Sequence, residues 1–327
     1  MSASTPGGVR QATRRLPEPN PVLVKELRAR FRTRRAFMAL AAFLLVLAAT
    51  ALLAYRQQLG GGAGYRAYYS TGGYYYYPGS RREAMGRAFL AWIVIVEYLV
   101  MAVLAPALTM NAVSGERERQ TFELLLATPL TAWQIVRGKL GAALGYVLLM
   151  AFAVLPIASV AFLFGGVSGR EVVAAQAFLA VAGLTYLSIG LFWSAWLKRS
   201  GRAAVASYLS VAMLSFGFIV AWSAIGMVFG PLGIRQPLAS LLADVRRAMF
   251  VASPVWPAIA WFDSGAGVAT TTSLISAAFQ LIASAGLITL ATVRVRGPGR
   301  GAKFALFVVA VLLLGWTVWL IQAHVSI

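Results

Sequence analysis

A charged segment between two long apolar runs carries the side chains best suited to a specific interaction. Residues 114–131 read Ser-Gly-Glu-Arg-Glu-Arg-Gln-Thr-Phe-Glu-Leu-Leu-Leu-Ala-Thr-Pro-Leu-Thr. A helix turns by about 100° per residue, so the apolar side chains of this segment gather opposite the polar ones. The apolar side holds Phe122, Leu125, Leu126 and Pro129, and the polar side holds Glu116, Arg119, Gln120 and Glu123. We therefore expect an amphipathic helix over 115–130 that docks onto a cytoplasmic partner.

The end of this segment has its own signals. Pro129 ends the helix because proline disfavours helical backbone at the residue before it. Thr131 then begins a new helix, with Gln134 at the spacing of a capping box. The segment is thus predicted to form a short helix, a break and a newly capped helix. Such an element could transmit a displacement by a cytoplasmic partner to the third membrane span. Glu118 lies beside the apolar stripe, where we expect it to meet a cation on a partner. An ordinary surface helix that shields a loop would have the same periodicity.

Glu97 is the second candidate, because it lies inside an apolar run. A carboxyl group at that depth is costly unless it is paired, protonated or hydrated, and it usually faces the interior of the bundle. Glu97 is therefore either functional or structural. A functional Glu97 would be a polar point on the substrate path or a proton-coupled site. A structural Glu97 would be buried and either hydrogen-bonded or protonated.

The rest of the composition excludes most catalytic chemistry. The chain has no cysteine and one histidine, His324, so disulfides, thiolate catalysis and Cys/His metal clusters are excluded. It contains no Gly-x-x-x-x-Gly-Lys-Ser/Thr motif, so another chain must hydrolyse ATP if ATP is the energy source. We expect no cofactor or metal on this chain. Asp244 and Asp263 share a loop, but no spacing pairs them for a membrane enzyme.

Apolar helices position these residues. The chain is 60% hydrophobic, and seven apolar runs have about the 20 residues, or more, that cross a bilayer as a helix. These runs are 36–55, 88–110, 140–164, 172–197, 203–229, 272–293 and 304–322. The predicted fold class is an all-α polytopic membrane helix bundle. It has a six-span domain over 36–293 and an additional C-terminal span over 304–322.

The N-terminal region is basic. Residues 1–19 predict a disordered tail, and residues 20–35 an amphipathic helix on the membrane surface. With the N-terminus in the cytoplasm, 20 of the 29 lysines and arginines lie on the inner side, which favours this orientation in a cell (inner) membrane and places the C-terminus outside. The net charge of +19 thus fits anionic lipid better than nucleic acid.

Prolines and glycines mark special points within the spans. Pro106 and Pro156 flank the charged segment, where they are possible hinges or static kinks. Gly141 and Gly145, preceded by Gly138, predict close helix packing. The long tyrosine-rich loop over 56–87 fits an interfacial cap or a substrate-touching lid.

Two stretches resemble bacterial type-2 ATP-binding-cassette (ABC) permeases. Residues 20–30, Asn-Pro-Val-Leu-Val-Lys-Glu-Leu-Arg-Ala-Arg, are similar to the amphipathic helix before the first span of that family. Residues 116–130, followed by Trp133 and Gly138-Lys139, resemble its cytoplasmic coupling segment between the second and third spans. The resemblance covers about residues 20–293, and the additional span and the long tyrosine-rich loop depart from it.

The resemblance implies an exporter subunit that alternates access when separate ATPase subunits close on ATP. ATP and magnesium would lie on that partner, and a second copy or homologue of this chain would complete a dimer in membrane lipid. The implied ATPase contact consists of Glu116, Arg117, Glu118, Arg119, Gln120, Thr121, Phe122, Glu123, Leu124 and Leu125. An ion-coupled secondary transporter that uses Glu97 and a membrane-embedded enzyme remain as alternatives. The residues do not name the substrate.

Overall fold

The computed structural model describes residues 20–60, 81–229, 252–255 and 268–296. The described part contains helices and no strand. In chain order the helices are α1 (Pro21–Phe31), α2 (Arg34–Gly60), α3 (Arg81–Thr109), α4 (Ser114–Glu118), α5 (Phe122–Leu126), α6 (Ala132–Ala158), α7 (Ala161–Phe164), α8 (Gly169–Trp196), α9 (Ser200–Phe229) and α10 (Val268–Arg296). The predicted tail over 1–19, most of the tyrosine-rich loop and the predicted span over 304–322 lie outside the described residues.

The predicted polytopic helix bundle is confirmed. Among the described residues, α2, α3, α6, α8 and α10 are long and apolar enough to cross a membrane. The apolar run over 203–229 lies within α9, which is 30 residues long. The third predicted span, over 140–164, continues the helix that begins after the predicted cap at Thr131, since α6 starts at Ala132.

Helix α8 occupies the centre of the bundle and packs against α3, α6, α9 and α10. Residues later in α8 contact residues later in α3 and just after it. Gln176 of α8 meets Glu97 of α3, and Ser194, further along α8, meets Val113 just beyond α3. The two helices therefore run in the same direction, as the second and fourth spans of an alternating bundle must.

Helix α10 runs parallel to α8 as well. The hydroxyl of Ser284 donates to Thr185 Oγ1 at 3.2 Å, and the guanidinium of Arg294 lies 5.3 Å from the ring centre of Trp196. The second, fourth and sixth predicted spans thus share one direction. This is the direction required if each of the six segments crosses the membrane once.

The predicted close packing at the glycines of α6 is present, but the partner is α1. Gly141 and Gly145 face Leu23 and Leu27 of α1. A Cβ atom built on Gly138 would lie 2.8 Å from the Cβ of Val22. Because these glycines lack side chains, α1 lies directly against the first turns of α6.

Candidate functional site

Asn20 fixes the start of α1 and ties it to α6. Its side-chain oxygen accepts a hydrogen bond from the backbone N–H of Val22 at 3.0 Å, which is an N-cap interaction. Its amide nitrogen donates to the carbonyl oxygen of Gln134 at 2.7 Å. Gln134 belongs to the predicted capping box with Thr131, which the structure confirms. Two helix starts are therefore joined through one asparagine.

A buried lysine connects three elements. The ammonium group of Lys139 on α6 lies 2.6 Å from Glu116 Oε1 on α4 and 3.2 Å from Glu26 Oε1 on α1. The Lys139 side chain is 4% exposed, and each glutamate side chain is 23% exposed. Removal of a charge from water is costly unless hydrogen-bonded partners of opposite charge replace the water. We call Glu26, Glu116 and Lys139 the Lys139 cluster.

Further contacts hold α4 against the C-terminal end of α8. The hydroxyl oxygen of Ser194 accepts hydrogen bonds from the backbone N–H groups of Val113 and Ser114, at 2.9 and 3.1 Å. Arg117 donates from Nη1 to the carbonyl oxygen of Ala195 at 2.9 Å. Its guanidinium also lies 4.9 Å from the ring centre of Phe122, a cation–π distance.

The carboxylate of Glu118 meets the start of α9. The expected cation on a partner protein stays a prediction. Oε1 accepts from the backbone N–H of Ser200 at 2.8 Å, and Oε2 accepts from its hydroxyl at 2.5 Å. A carboxylate is favourable there because the first N–H groups of a helix have no partner within the helix. Glu118 therefore links α4 to α9.

The prediction of one continuous helix over 115–130 was wrong. The segment forms two short helices, α4 and α5, joined by a turn at Arg119–Thr121. Thr121 N–H donates to Glu116 O at 3.0 Å, and Gln120 N–H donates to Arg117 O at 3.1 Å, which is the pattern of a Schellman motif. Gln120 has a φ of 57°, in the left-handed region usually taken by glycine. With glutamine at that position, the sequence did not signal the break.

The predicted contact residues divide into two groups. Glu116, Arg117 and Phe122 face other elements of the bundle, and Leu125 is half-buried. The exposed contact residues are Arg119, Gln120, Thr121, Glu123 and Leu124; together with the exposed Leu126 and Trp133 nearby they form a surface that we call the outer face. Glu118 is also exposed, but its carboxylate is bound to Ser200. Leu126 is 46% exposed although it shares α5 with the buried Phe122, and Leu124 is the most exposed leucine of the segment, at 71%. The break after Glu118 changes the phase between the polar residues of α4 and the apolar residues of α5.

A polar cavity of about 580 Å³ adjoins the outer face, because Arg119 and Thr121 line it together with α1, α4 and the ends of α3, α6 and α9. Arg30 lines it and donates from Nη2 to the carbonyl oxygen of Leu108 at 2.7 Å. Burial lowers the pKa of the Arg30 guanidinium, and the nearby charge of Glu26 opposes that shift. Arg30 thus binds α1 to the end of α3.

Glu97 faces the bundle interior, as predicted, and is 0% exposed. Gln176 donates from Nε2 to Glu97 Oε2 at 2.9 Å. Glu97 Oε1 and Gln176 Oε1 have no hydrogen-bond partner among the residues that the structure describes. The two polar groups stabilise one another between α3 and α8, and a role in a substrate path remains a prediction.

Pro106 and Pro156 lie in the last turns of α3 and α6, and not in mid-span. Their role as hinges remains a prediction. Within the described ranges, no group of three or more His, Cys, Asp or Glu residues could hold a metal ion.

The fold and the site define a polytopic helical membrane protein whose spans are tied to a short charged segment. The sequence profile of the ABC-2 family of transporter proteins matches residues 21–293. The chain therefore belongs to the ABC-2 transporter family and is an ABC transporter permease. No curated protein sequence gives a significant match to the chain.

Proposed function

We propose that this permease is the membrane subunit of an ATP-driven exporter, coupled to a separate ATPase through its outer face. The observation that carries the proposal is the two-sided nature of residues 114–133. One side is bound to the helices α1, α6, α8 and α9. The other side, the outer face, is exposed. A segment of this kind can receive a displacement and transfer it to the spans.

The inward contacts give the transfer a physical route. Glu116 is bound through Lys139 to α6 and α1. Ser114 and Arg117 are hydrogen-bonded to α8, and Glu118 is hydrogen-bonded to the start of α9. Movement of α4 must therefore either move these helix ends or break several charge-assisted hydrogen bonds. Such a set of contacts favours movement of the helix ends together with α4.

The outer face has the chemistry of a protein-binding surface. Leu124, Leu126 and Trp133 are exposed apolar side chains, with Arg119 and Glu123 beside them in sequence. Large apolar anchors surrounded by charged groups are common in protein interfaces. The proposed occupant is an ATPase subunit, which would supply ATP and magnesium. The chain itself lacks a phosphate-binding loop.

The proposal also includes an orientation in the membrane, which rests on the distribution of charge, and a dimeric assembly, which rests on the family. The excess of lysine and arginine on one side of the spans supports a cytoplasmic N-terminus and a cytoplasmic outer face. A second copy of this chain or a homologue would complete the pathway for alternating access. Ion-coupled transport through Glu97 is the weaker alternative, because Glu97 is fully buried and already hydrogen-bonded.

Photo-crosslinking in the native membrane tests the proposal. A photoreactive amino acid replaces Leu124, and the control position is Leu163, which is 84% exposed on α7 at the opposite end of α6. We expect Leu124 to crosslink to a chain that carries Gly-x-x-x-x-Gly-Lys-Ser/Thr, and Leu163 not to do so. Absence of an ATPase from the Leu124 products, or equal capture at Leu163, would exclude the proposed contact.

Leu124→Ser combined with Leu126→Ser tests function at the same surface. This variant should fold, because both side chains are exposed, and it should lose vanadate-sensitive ATP hydrolysis in the assembled complex. Leu163→Ser is the matched control and should retain hydrolysis. Normal hydrolysis in the double variant would place the coupling contact elsewhere.

A further inference from the structure

An open basic groove lies at the corner where α1 turns into the first span. It has a volume of about 570 Å³ and is lined by Arg28, Ala29, Arg32, Thr33 and Arg34. Arg28 and Arg32 are one helical turn apart, and Arg34 begins α2. All three arginines are exposed to the solvent side of the groove. The corner therefore brings three guanidinium groups to one concave surface.

These arginines have no carboxylate partner within the described part of the chain. The nearest acid in sequence, Glu26, is bound to Lys139. The first turn of α2 contains no acidic residue, so the positive end of that helix adds to the charge of the groove. Guanidinium groups bind phosphate oxygens through paired N–H donors. The groove thus has the charge and the donors for a phosphate group.

The surroundings of the groove favour a phosphate that belongs to a lipid. Helix α2 is a candidate membrane span, so the groove lies where a span begins. Phe37 and Met38 follow Arg34 within one turn and are 71% and 62% exposed. Exposed apolar side chains of this kind face acyl chains when a helix enters the bilayer. A free anion would make no use of them.

We propose that the groove of Arg28, Arg32 and Arg34 is a binding site for the headgroup phosphate of an anionic membrane phospholipid. The acyl chains of that lipid lie along Phe37 and Met38. Three cations with no acid beside them favour a lipid with net negative charge over a zwitterionic one. The site is separate from the outer face and does not depend on the proposed ATPase contact.

Native mass spectrometry of the purified full-length chain tests this site. The chain in detergent is titrated with phosphatidylglycerol, phosphatidylcholine or inorganic phosphate. The test variant is Arg28→Gln/Arg32→Gln/Arg34→Gln. The control variant is Arg137→Gln/Lys198→Gln/Arg202→Gln, which removes the same charge from exposed residues outside the groove. Thermal unfolding in phosphatidylcholine checks that both variants fold.

We expect phosphatidylglycerol to bind the wild-type chain more tightly than phosphatidylcholine does. The test variant should bind it about a hundredfold more weakly, since each of three cations contributes about a factor of five. The control variant should lose no more than about threefold, through the loss of long-range attraction alone.

Other outcomes would overturn the proposal. An equal loss in both triple variants would indicate nonspecific attraction to net charge. Competition by inorganic phosphate at the same concentration would indicate a site for the free anion. If the test variant keeps its lipid but loses a co-purifying ATPase, the arginines belong to a protein interface.

Discussion

The ammonium group of Lys139 lies 2.6 Å from Oε1 of Glu116, with almost no access to water. Through this ion pair, the segment between the second and third spans is bound to the first turns of the third span. The same ammonium group holds Glu26 of α1 at 3.2 Å. One cation thus links the surface helix, the charged segment and a membrane helix.

Lys139→Met should destabilise the chain strongly. The methionine fills a similar volume but removes the one cation that binds both carboxylates, and loss of one partner of a buried pair costs about 3 kcal/mol. Thermal unfolding in detergent measures the effect. Arg137→Met, on an exposed position of the same helix, should change stability little. Equal stability of the two variants would contradict a structural role for the ion pair.

Gln120→Gly should stabilise the chain. Gln120 has a φ of 57°, and a non-glycine residue in that region costs about 1 to 2 kcal/mol. Part of the gain is lost because glycine is more flexible in the unfolded chain, so we expect a net gain of about 0.5 to 1 kcal/mol. Gln120→Ala keeps the unfavourable φ and should give no gain. A decrease in melting temperature for Gln120→Gly would show that the glutamine side chain itself is needed.

Gly138→Ala should separate α1 from α6. Its new Cβ would lie 2.8 Å from Val22 Cβ and 3.1 Å from the backbone nitrogen of Leu23, which cannot move independently of α1. Overpacking of this kind costs about 1 to 3 kcal/mol. The control is Gly201→Ala on α9, where nothing lies within 4 Å of the added atom and a small gain is expected. The two melting temperatures, and protease access to α1, would reveal the difference.

Glu97→Gln should preserve both stability and vanadate-sensitive ATP hydrolysis. The new amide can accept from Gln176 and donate to its unpartnered side-chain oxygen, so the pair between α3 and α8 stays satisfied. Gln176→Leu, in contrast, leaves the carboxyl group without its donor and should cost about 2 kcal/mol. Loss of transport in a well-folded Glu97→Gln protein would instead support a proton-coupled role for the carboxyl group.

Local signals along the sequence were sufficient for much of the fold. The length of the apolar runs predicted the five candidate spans found among the described residues, Thr131 and Gln134 predicted a capped helix, and Pro129 predicted a break. The burial of Glu97 followed from the cost of a carboxyl group in hydrocarbon. Each of these signals acts within a few residues, so a single sequence contains it.

The packing of the helices around the site could not be predicted from the sequence, because it depends on contacts between residues that are far apart in the chain. The central position of α8 gives no periodic signal, since its residues are apolar on most sides. Gln120 adopts a conformation for which glutamine is not the expected residue. The ion pair between Glu26 and Lys139 joins residues far apart in sequence. A lone acid among the cations of α1 was the one available hint.

The docking of α1 onto α6 has a consequence for the order of assembly during synthesis. Glu26 and Lys139 are 113 residues apart, so the ribosome needs about 6 to 23 seconds to make the second after the first. In that interval α2 and α3 are made, while α1 still lacks the lysine that binds Glu26. Helix α1 therefore completes its contacts only after the start of α6 has been made.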